Sequence, residues 1–133
     1  MEIKHVYKTI RASAILTNAY VAGTVLGGNG GSSNGEPVEY SQIILYVGFT
    51  KGSLTSASVK IEYSEDGTNY FQETFKSVSG GESTETLGVH IIPATGNYTI
   101  PVAINHRYIK VSSIGTGTVT GSALSVSAVL ATN

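Results

Sequence analysis

The run Ser58-Val59-Lys60-Ile61-Glu62-Tyr63-Ser64 passes directly into Glu65-Asp66-Gly67-Thr68-Asn69 and then into Tyr70-Phe71-Gln72-Glu73-Thr74-Phe75. Val59, Ile61 and Tyr63 alternate with Ser58, Lys60, Glu62 and Ser64, so a strand here has one apolar and one wet face. Asp66-Gly67 supplies the positive φ that a tight reversal needs, and Asn69 tolerates that conformation too. The next β-rich segment is expected to return along the first strand. A chain built around such a hairpin is committed to sheet.

The rest of the sequence agrees. No stretch of about eleven residues or more carries the i, i+3, i+4, i+7 apolar stripe of an amphipathic helix. Short β-type runs punctuated by Gly, Asn, Pro and Ser are expected over 8–16, 20–26, 41–49, 57–64, 70–76, 88–92, 97–102, 108–114 and 123–131. About eight to nine antiparallel strands at this spacing predict an all-β chain, a single-domain, jelly-roll-like β-sandwich over residues 1–133. Residues 27–35, Gly-Gly-Asn-Gly-Gly-Ser-Ser-Asn-Gly, have no side chain that can pack a core and read as a flexible loop. No Lys-Ser or Lys-Thr directly follows them, so they are not a phosphate cradle. Residues 115–121, Gly-Thr-Gly-Thr-Val-Thr-Gly, read as a second hairpin tip.

The segment 41–49 differs from the hairpin strands. Ile43, Leu45, Val47 and Phe49 fall on one face, yet Ile44 and Tyr46 fall on the other beside Gln42 and Gly48. Apolar residues on both faces imply burial on both sides. The outer face is therefore expected to be covered by a loop, by the N-terminal segment or by another subunit. Ile44 and Tyr46 are the candidate interface residues.

Charged residues make up only 13% of the chain, about half the usual share, and the deficit is filled by 31 Ser plus Thr and 16 Gly. So little charge gives weak self-repulsion and points toward assembly. The net charge of −1 and the dispersed basic residues argue against a nucleic-acid partner held by phosphate neutralisation. The absence of Cys removes any disulfide framework or thiolate metal site. No apolar stretch approaches the ~20 residues of a membrane span. The N-terminal Met-Glu-Ile-Lys-His lacks a secretion leader, so folding is expected where the chain is made.

Catalytic groups are sparse. Asp66 lies in a turn, and His5, His90 and His106 are far apart with no metal-ligand spacing. His90 is expected to point outward from its strand, and His106 to be a loop residue. Eight glutamates leave a paired-carboxylate arrangement open, since sequence does not show their separation. No enzymatic activity, cofactor or metal is expected. With no Trp, a sugar-binding platform would have to come from tyrosines. Tyr63, Tyr70, Phe71, Phe75 and Tyr108 sit in strands, where core or cross-strand packing is the default. Tyr98, near a strand end, is the candidate exposed loop aromatic.

Three segments carry a family resemblance: Tyr46-Val47-Gly48-Phe49-Thr50-Lys51-Gly52, the hairpin from Val59 to Tyr70, and Arg107-Tyr108-Ile109-Lys110-Val111. With the Gly115-Thr116-Gly117-Thr118 segment and the Ser/Ala/Val strand to Leu130, they resemble small β-sandwich proteins from the virion genes of tailed bacteriophages. The resemblance covers about two thirds of the chain and is centred on residues 40–130; the stretch 16–27 is similar too. It implies a capsid decoration, head fibre or tail or baseplate accessory, commonly trimeric and in contact with other virion proteins. Ile-Glu-Tyr-Ser-Glu-Asp-Gly-Thr-Asn with a later Arg-Tyr-Ile-Lys-Val is also similar to the discoidin, galactose-binding-like sandwiches. The chain departs from that second pattern, with Tyr70 where Trp is usual and no cysteine pair, and no binding residue carries over. Two function classes are thus expected: a non-enzymatic virion structural protein, made in the host cytoplasm and acting as a homo-oligomer, or a carbohydrate- or receptor-binding module that takes a surface glycan.

Overall fold

In the computed structural model, which describes residues 4–27, 41–104 and 106–132, the alternation of Val59, Ile61 and Tyr63 becomes the inner face of an 11-residue strand. Among the described residues the strands in chain order are β1 (Lys4–Ala14), β2 (Val21–Ala22), β3 (Leu26–Gly27), β4 (Gln42–Thr50), β5 (Leu54–Ser64) and β6 (Phe71–Gln72). They continue with β7 (Thr74–Ser79), β8 (Glu82–Leu87), β9 (His90–Ile92), β10 (Gly96–Val102), β11 (Tyr108–Gly117) and β12 (Ala123–Thr132). Among the described residues no helix interrupts them, and none is long and apolar enough to cross a membrane.

The strands form two antiparallel sheets plus one separate hairpin. The first sheet runs β1-β12-β4-β10; the second runs β2-β11-β5-β6, with β3 also on β11 and β9 also on β5. Because β2 and β3 share one side of β11, and β6 and β9 one side of β5, the second sheet also has four rows. Counting rows along the chain, one sheet reads 1-8-3-6 and the other 2-7-4-5. That is the strand order of a jelly roll, the fold the sequence pattern predicts.

The core lies where the inner faces meet. Leu45, Val47, Leu124, Val126, Ala128 and Leu130 of the first sheet are sealed from solvent, as are Val59, Ile61, Ile109 and Val111 of the second. Leu16 stoppers one end: its N–H donates to Ser122 Oγ at 3.2 Å, and its side chain is buried. Nearby, Asn18 Nδ2 donates to the carbonyls of Gly115 and Gly117 at 2.8 and 2.9 Å. The bulged end of β1 is pinned by Arg11, whose Nε donates to the Leu124 carbonyl at 3.0 Å.

Several expected elements differ, each for a physical reason. The span 20–26 splits in two, because at Gly23 and Thr24 the backbone turns its N–H groups to Val111 O and Ile10 O, both at 2.9 Å. The span 70–76 also splits: β6 pairs with β5 only at Glu62–Gln72 and Tyr63–Phe71, and the chain then leaves the sheet. It enters the β7–β8 hairpin, of which β8 (Glu-Ser-Thr-Glu-Thr-Leu) has no apolar alternation to announce it. Phe71 and Phe75 are accordingly surface residues, 71% and 41% exposed, and not core. Residues 115–121 are not a hairpin tip, since β11 and β12 belong to different sheets and 118–122 crosses between them. Of the loop 27–35, Gly27 closes β3 and the remainder lies outside the described residues.

The Asp-Gly turn is built as the sequence implies. Gly67 has φ +77°, and Asp66 Oδ1 accepts from the N–H groups of Thr68 and Asn69 at 2.8 Å each. Asn69 Nδ2 donates to Asp66 Oδ2 at 2.8 Å, and Ser64 Oγ donates to Oδ1 at 3.0 Å. The backbone donors of Asn69 and Thr68, then these side chains, hold the Asp66 carboxyl well below the usual carboxylate range. Only the carboxylate collects all four bonds, so its stabilisation is complete above the ordinary range near ~4 and is lost as pH falls from there through the depressed value. Asp66→Asn is expected to melt below the parent protein at pH 7, with the difference closing as pH drops below about 4; calorimetry across pH checks this. Leu16→Ala is expected to cost roughly 2–5 kcal/mol, read as a lower urea midpoint, because it leaves a cavity at the end of the core.

Candidate functional site

The two outward faces of the sandwich are chemically unlike. On the second sheet the outer face carries Lys60, Glu62 and Lys110, and these satisfy one another: Glu62 Oε1 lies 3.8 Å from Lys60 Nζ and 4.0 Å from Lys110 Nζ. Each ammonium also sits over an aromatic ring, Lys60 4.4 Å from the centroid of Tyr20 and Lys110 4.1 Å from that of Tyr70. Burial against this layer raises the hydroxyl pKa of both tyrosines, with nearby charges adding to the effect at Tyr70. The charges of this face are thus paired and its lysines lean on rings, while Tyr20 stays 37% exposed and Ile91, opposite the outward Ser58 at the sheet edge, 67% exposed.

The outer face of the first sheet is not finished. Its register places Tyr7, Val129, Ile44 and Pro101 side by side across all four strands. The next row is Thr9, Ser127, Tyr46 and Thr99, and beyond it lie Ser125, Gly48 and Asn97. Through these rows no outward position carries Asp, Glu, Lys or Arg. Tyr7 is 70% exposed and Tyr46 51%, while Ile44 is half-buried by its neighbours. Among the described residues the double-sided burial expected for Ile44 and Tyr46 is therefore incomplete. The N-terminal strand does not lie over this face; β1 extends it sideways and adds Tyr7 to it.

A groove of about 490 Å³ runs along this face beside Tyr46. Its floor exists because Gly48 has no side chain: a Cβ there would come within 2.9 Å of Ser125 Oγ and 3.6 Å of Asn97 Oδ1. The result is a polar notch of Asn97, Thr99, Ser125 and Ser127 against one exposed aromatic wall. Tyr98 is not a free loop aromatic. It lies within β10, packs against the core, and donates its hydroxyl to the Ala94 carbonyl at 2.6 Å.

A second cleft, of about 430 Å³, opens at the end of the sandwich between Phe71, Tyr63, His106 and the Asp66 turn. His106 stacks on Tyr63 with centroids 4.0 Å apart, and its Nδ1 lies 3.7 Å from Glu65 Oε2. The polar groups here are largely spent on each other. Asp66 and Asn69 close the turn, Gln72 Nε2 donates to the Gly88 carbonyl at 3.1 Å, and the Arg107 N–H donates to Glu65 at 3.2 Å. Tyr63 donates its hydroxyl to Glu73 Oε2 at 3.1 Å, and burial, then the Glu73 charge, pushes its pKa up to about 12.

Glu73 is the group that sequence reasoning missed. Besides Tyr63 it meets His90 Nε2 through Oε1 at 3.0 Å, while its backbone N–H donates to Ile61 O at 3.0 Å and its carbonyl accepts from Gly88 at 2.6 Å. His90 thus does not point to solvent: it pairs with Val59 on the inner-facing register and is held by Glu73 beneath the edge of Phe75. Nothing local in the sequence signals this brace, since its three side chains come from separate strands and the crossing between them. Among the described residues no three His, Asp or Glu side chains converge as a metal site.

No protein-family model matches the chain, and no curated protein is significantly similar in sequence. Among solved structures the fold is similar to the crystal structure of the SPBc2 prophage-derived protein YomS, at 13% identity and a TM-score of 0.52. The alignment covers 99% of this chain and 96% of that one, so the likeness extends over the whole sandwich. At this identity it establishes a shared fold.

Proposed function

We propose that the protein is a non-enzymatic structural component of a bacteriophage particle, a capsid decoration, head fibre or tail or baseplate accessory, that works by self-assembly and contact with other virion proteins. The observation that carries this reading is the contrast between the two outer faces. On one, the charged side chains pair with one another and lean on aromatic rings; the other presents Tyr7, Tyr46, Ile44, Val129 and Pro101 with no charged side chain among them. A face without net charge meets no repulsion from another copy of the chain, and apolar patches of this kind mark sites of association. The whole-chain likeness to a prophage-derived protein is consistent with a particle component, as is the resemblance of the strand motifs to phage virion sandwiches. In a repeated lattice modest contacts suffice, because each bound copy raises the effective concentration of the next.

A second reading, a glycan- or receptor-binding module, is favoured by the notch that Gly48 opens beside Tyr46, where an amide and hydroxyls stand against an aromatic wall. Calorimetric titration with neutral oligosaccharides separates the two readings. Saturable binding by a monomer, lost in Asn97→Ala, supports the module; a titration without heat supports the structural role.

Light scattering tests the first reading directly, with a homo-oligomer, a trimer by resemblance, as the expected mass. A strictly monomeric protein at high concentration overturns it. Tyr46→Glu places a charge in the centre of the face and is expected to weaken self-association by about 10–100-fold, the equivalent of roughly 1.4–2.8 kcal/mol. Its melting temperature should stay near the parent value, because Tyr46 contributes little to the core.

A further inference from the structure

We propose that Asp66-Gly67 is a latent modification site, chemically open to succinimide formation and isomerisation to isoaspartate, and that the Ser64 hydroxyl guards it in the folded chain. The inference concerns the turn alone and is independent of what the outer sheet faces bind. In the reaction the Gly67 backbone nitrogen attacks Asp66 Cγ. A C–N bond forms, the Cγ–OH bond breaks, and the amide proton leaves with that hydroxyl as water. Water then opens the imide at one carbonyl or the other, restoring aspartate or leaving isoaspartate with its main chain routed through Cβ and Cγ. Closure needs a neutral carboxyl, whose hydroxyl can depart, and an amide nitrogen able to give up its proton. A following glycine favours it, because no side chain crowds the attacking nitrogen.

The turn cannot readily dispense with this glycine. Gly67 has φ +77°, where a side chain is strained, and a Cβ there would come within 3.1 Å of the Tyr108 ring. Burial does not shield the pair either, since Asp66 is exposed and water reaches it. Protection has to come from hydrogen bonds, and Ser64 meets both halves of the reaction. Its residue is buried to 2% exposure at the end of β5. Its Oγ accepts from the Gly67 N–H at 2.9 Å and donates to Asp66 Oδ1 at 3.0 Å. The first bond stabilises the amide with its proton in place. The second joins those from the backbone N–H groups of Asn69 and Thr68 and from Asn69 Nδ2, and all four favour the carboxylate over the neutral carboxyl that closure needs. One buried hydroxyl thus quiets the nucleophile and the electrophile together.

Failure of the guard has a structural consequence. Isoaspartate lengthens the main chain between β5 and β6 by one carbon and removes the carboxylate that Thr68, Asn69 and Ser64 now hold. The pairing of Tyr63 with Phe71 lies directly beyond that turn, and the Glu73 brace follows it. Damage at Asp66 therefore reaches the end of the core as well as the surface.

Asp66 is the single aspartate of the chain, and tryptic cleavage after Lys60 and Lys76 isolates it in the peptide 61–76. Folded parent, parent unfolded in urea and Ser64→Ala are incubated in heavy-oxygen water at mildly acidic pH, then digested in ordinary water. Each closure and reopening leaves heavy oxygen at Asp66, and electron-transfer fragmentation distinguishes isoaspartate from aspartate. Label and isoaspartate are expected to accumulate in the unfolded parent and scarcely in the folded one. Ser64→Ala, shown by circular dichroism to be folded, is expected to react about tenfold faster than the folded parent, since each unit of rise in a carboxyl pKa raises its neutral fraction about tenfold. Ser64→Cys keeps the shape with only a weak donor and acceptor, and is expected to react faster than the parent too, which keeps the test open if the alanine variant does not fold. Leu16→Ala, weakened at the far end of the core, is expected to react at the parent rate. A folded parent as reactive as the unfolded chain overturns the guard, and so does a folded Ser64 variant no faster than the parent. Equal acceleration in Leu16→Ala and Ser64→Ala overturns it as well, because general loosening would then set the rate.

Discussion

Everything in this fold depends on one constraint of phase: the alternation along β4 and β12 must keep step with that along β5 and β11. Pairing between β12 and β4 runs unbroken from Ala123–Thr50 to Ala131–Gln42, and pairing between β11 and β5 from Tyr108–Ser64 to Thr116–Ser56. A slip of one residue in either ladder would turn a whole inward set of Val, Ile and Leu out to water. At about 25 cal/mol per Å² of apolar surface, that penalty far exceeds what any single turn or cap contributes. Register is therefore set by the core, and the loops are fitted to it.

The segments that cross between sheets show how the fitting is done. The crossing at 15–20 is fixed by Leu16 and Asn18, which reach the backbone and side chains of the opposite crossing around Gly115 and Ser122. The two crossings thus hold each other, closing the core at that end without a helix or a disulfide. At the other end the Asp66 turn and the His106–Tyr63 stack play the corresponding part. Glu73 adds a half-buried brace beside them, holding the base of the β7–β8 hairpin to β5 and β9.

The legible parts of the sequence are those in which one strand carries its own pattern. β4, β5, β11 and β12 each alternate strongly enough to be placed from sequence within a few residues, and together they hold most of the core. The two motifs most suggestive of a family, Ile61–Ser64 and Arg107–Val111, turn out to be neighbours, with Ile109 opposite Tyr63 and Val111 opposite Ile61. They report a paired core, and for that reason they name no site. Asp66 is readable as a turn residue because its bonds are local. β2, β3 and β6 are not readable as separate pieces, since what breaks them is a hydrogen bond to a distant strand. The apolar row through Tyr7, Val129, Ile44 and Pro101 is half legible: Ile44 and Tyr46 stand out in one strand, but only the register brings Tyr7 and Pro101 beside them.

The position of the β7–β8 hairpin within the chain has an evolutionary corollary. Row five of the jelly roll is anchored on both sides of the insertion, by Phe71–Gln72 before it and His90–Ile92 after it. The ribbon between can gain or lose paired residues two at a time without shifting any core contact. Its length is thus a nearly neutral variable for the domain. Insertions and deletions are therefore tolerated more readily in the ribbon than in the sandwich beneath it.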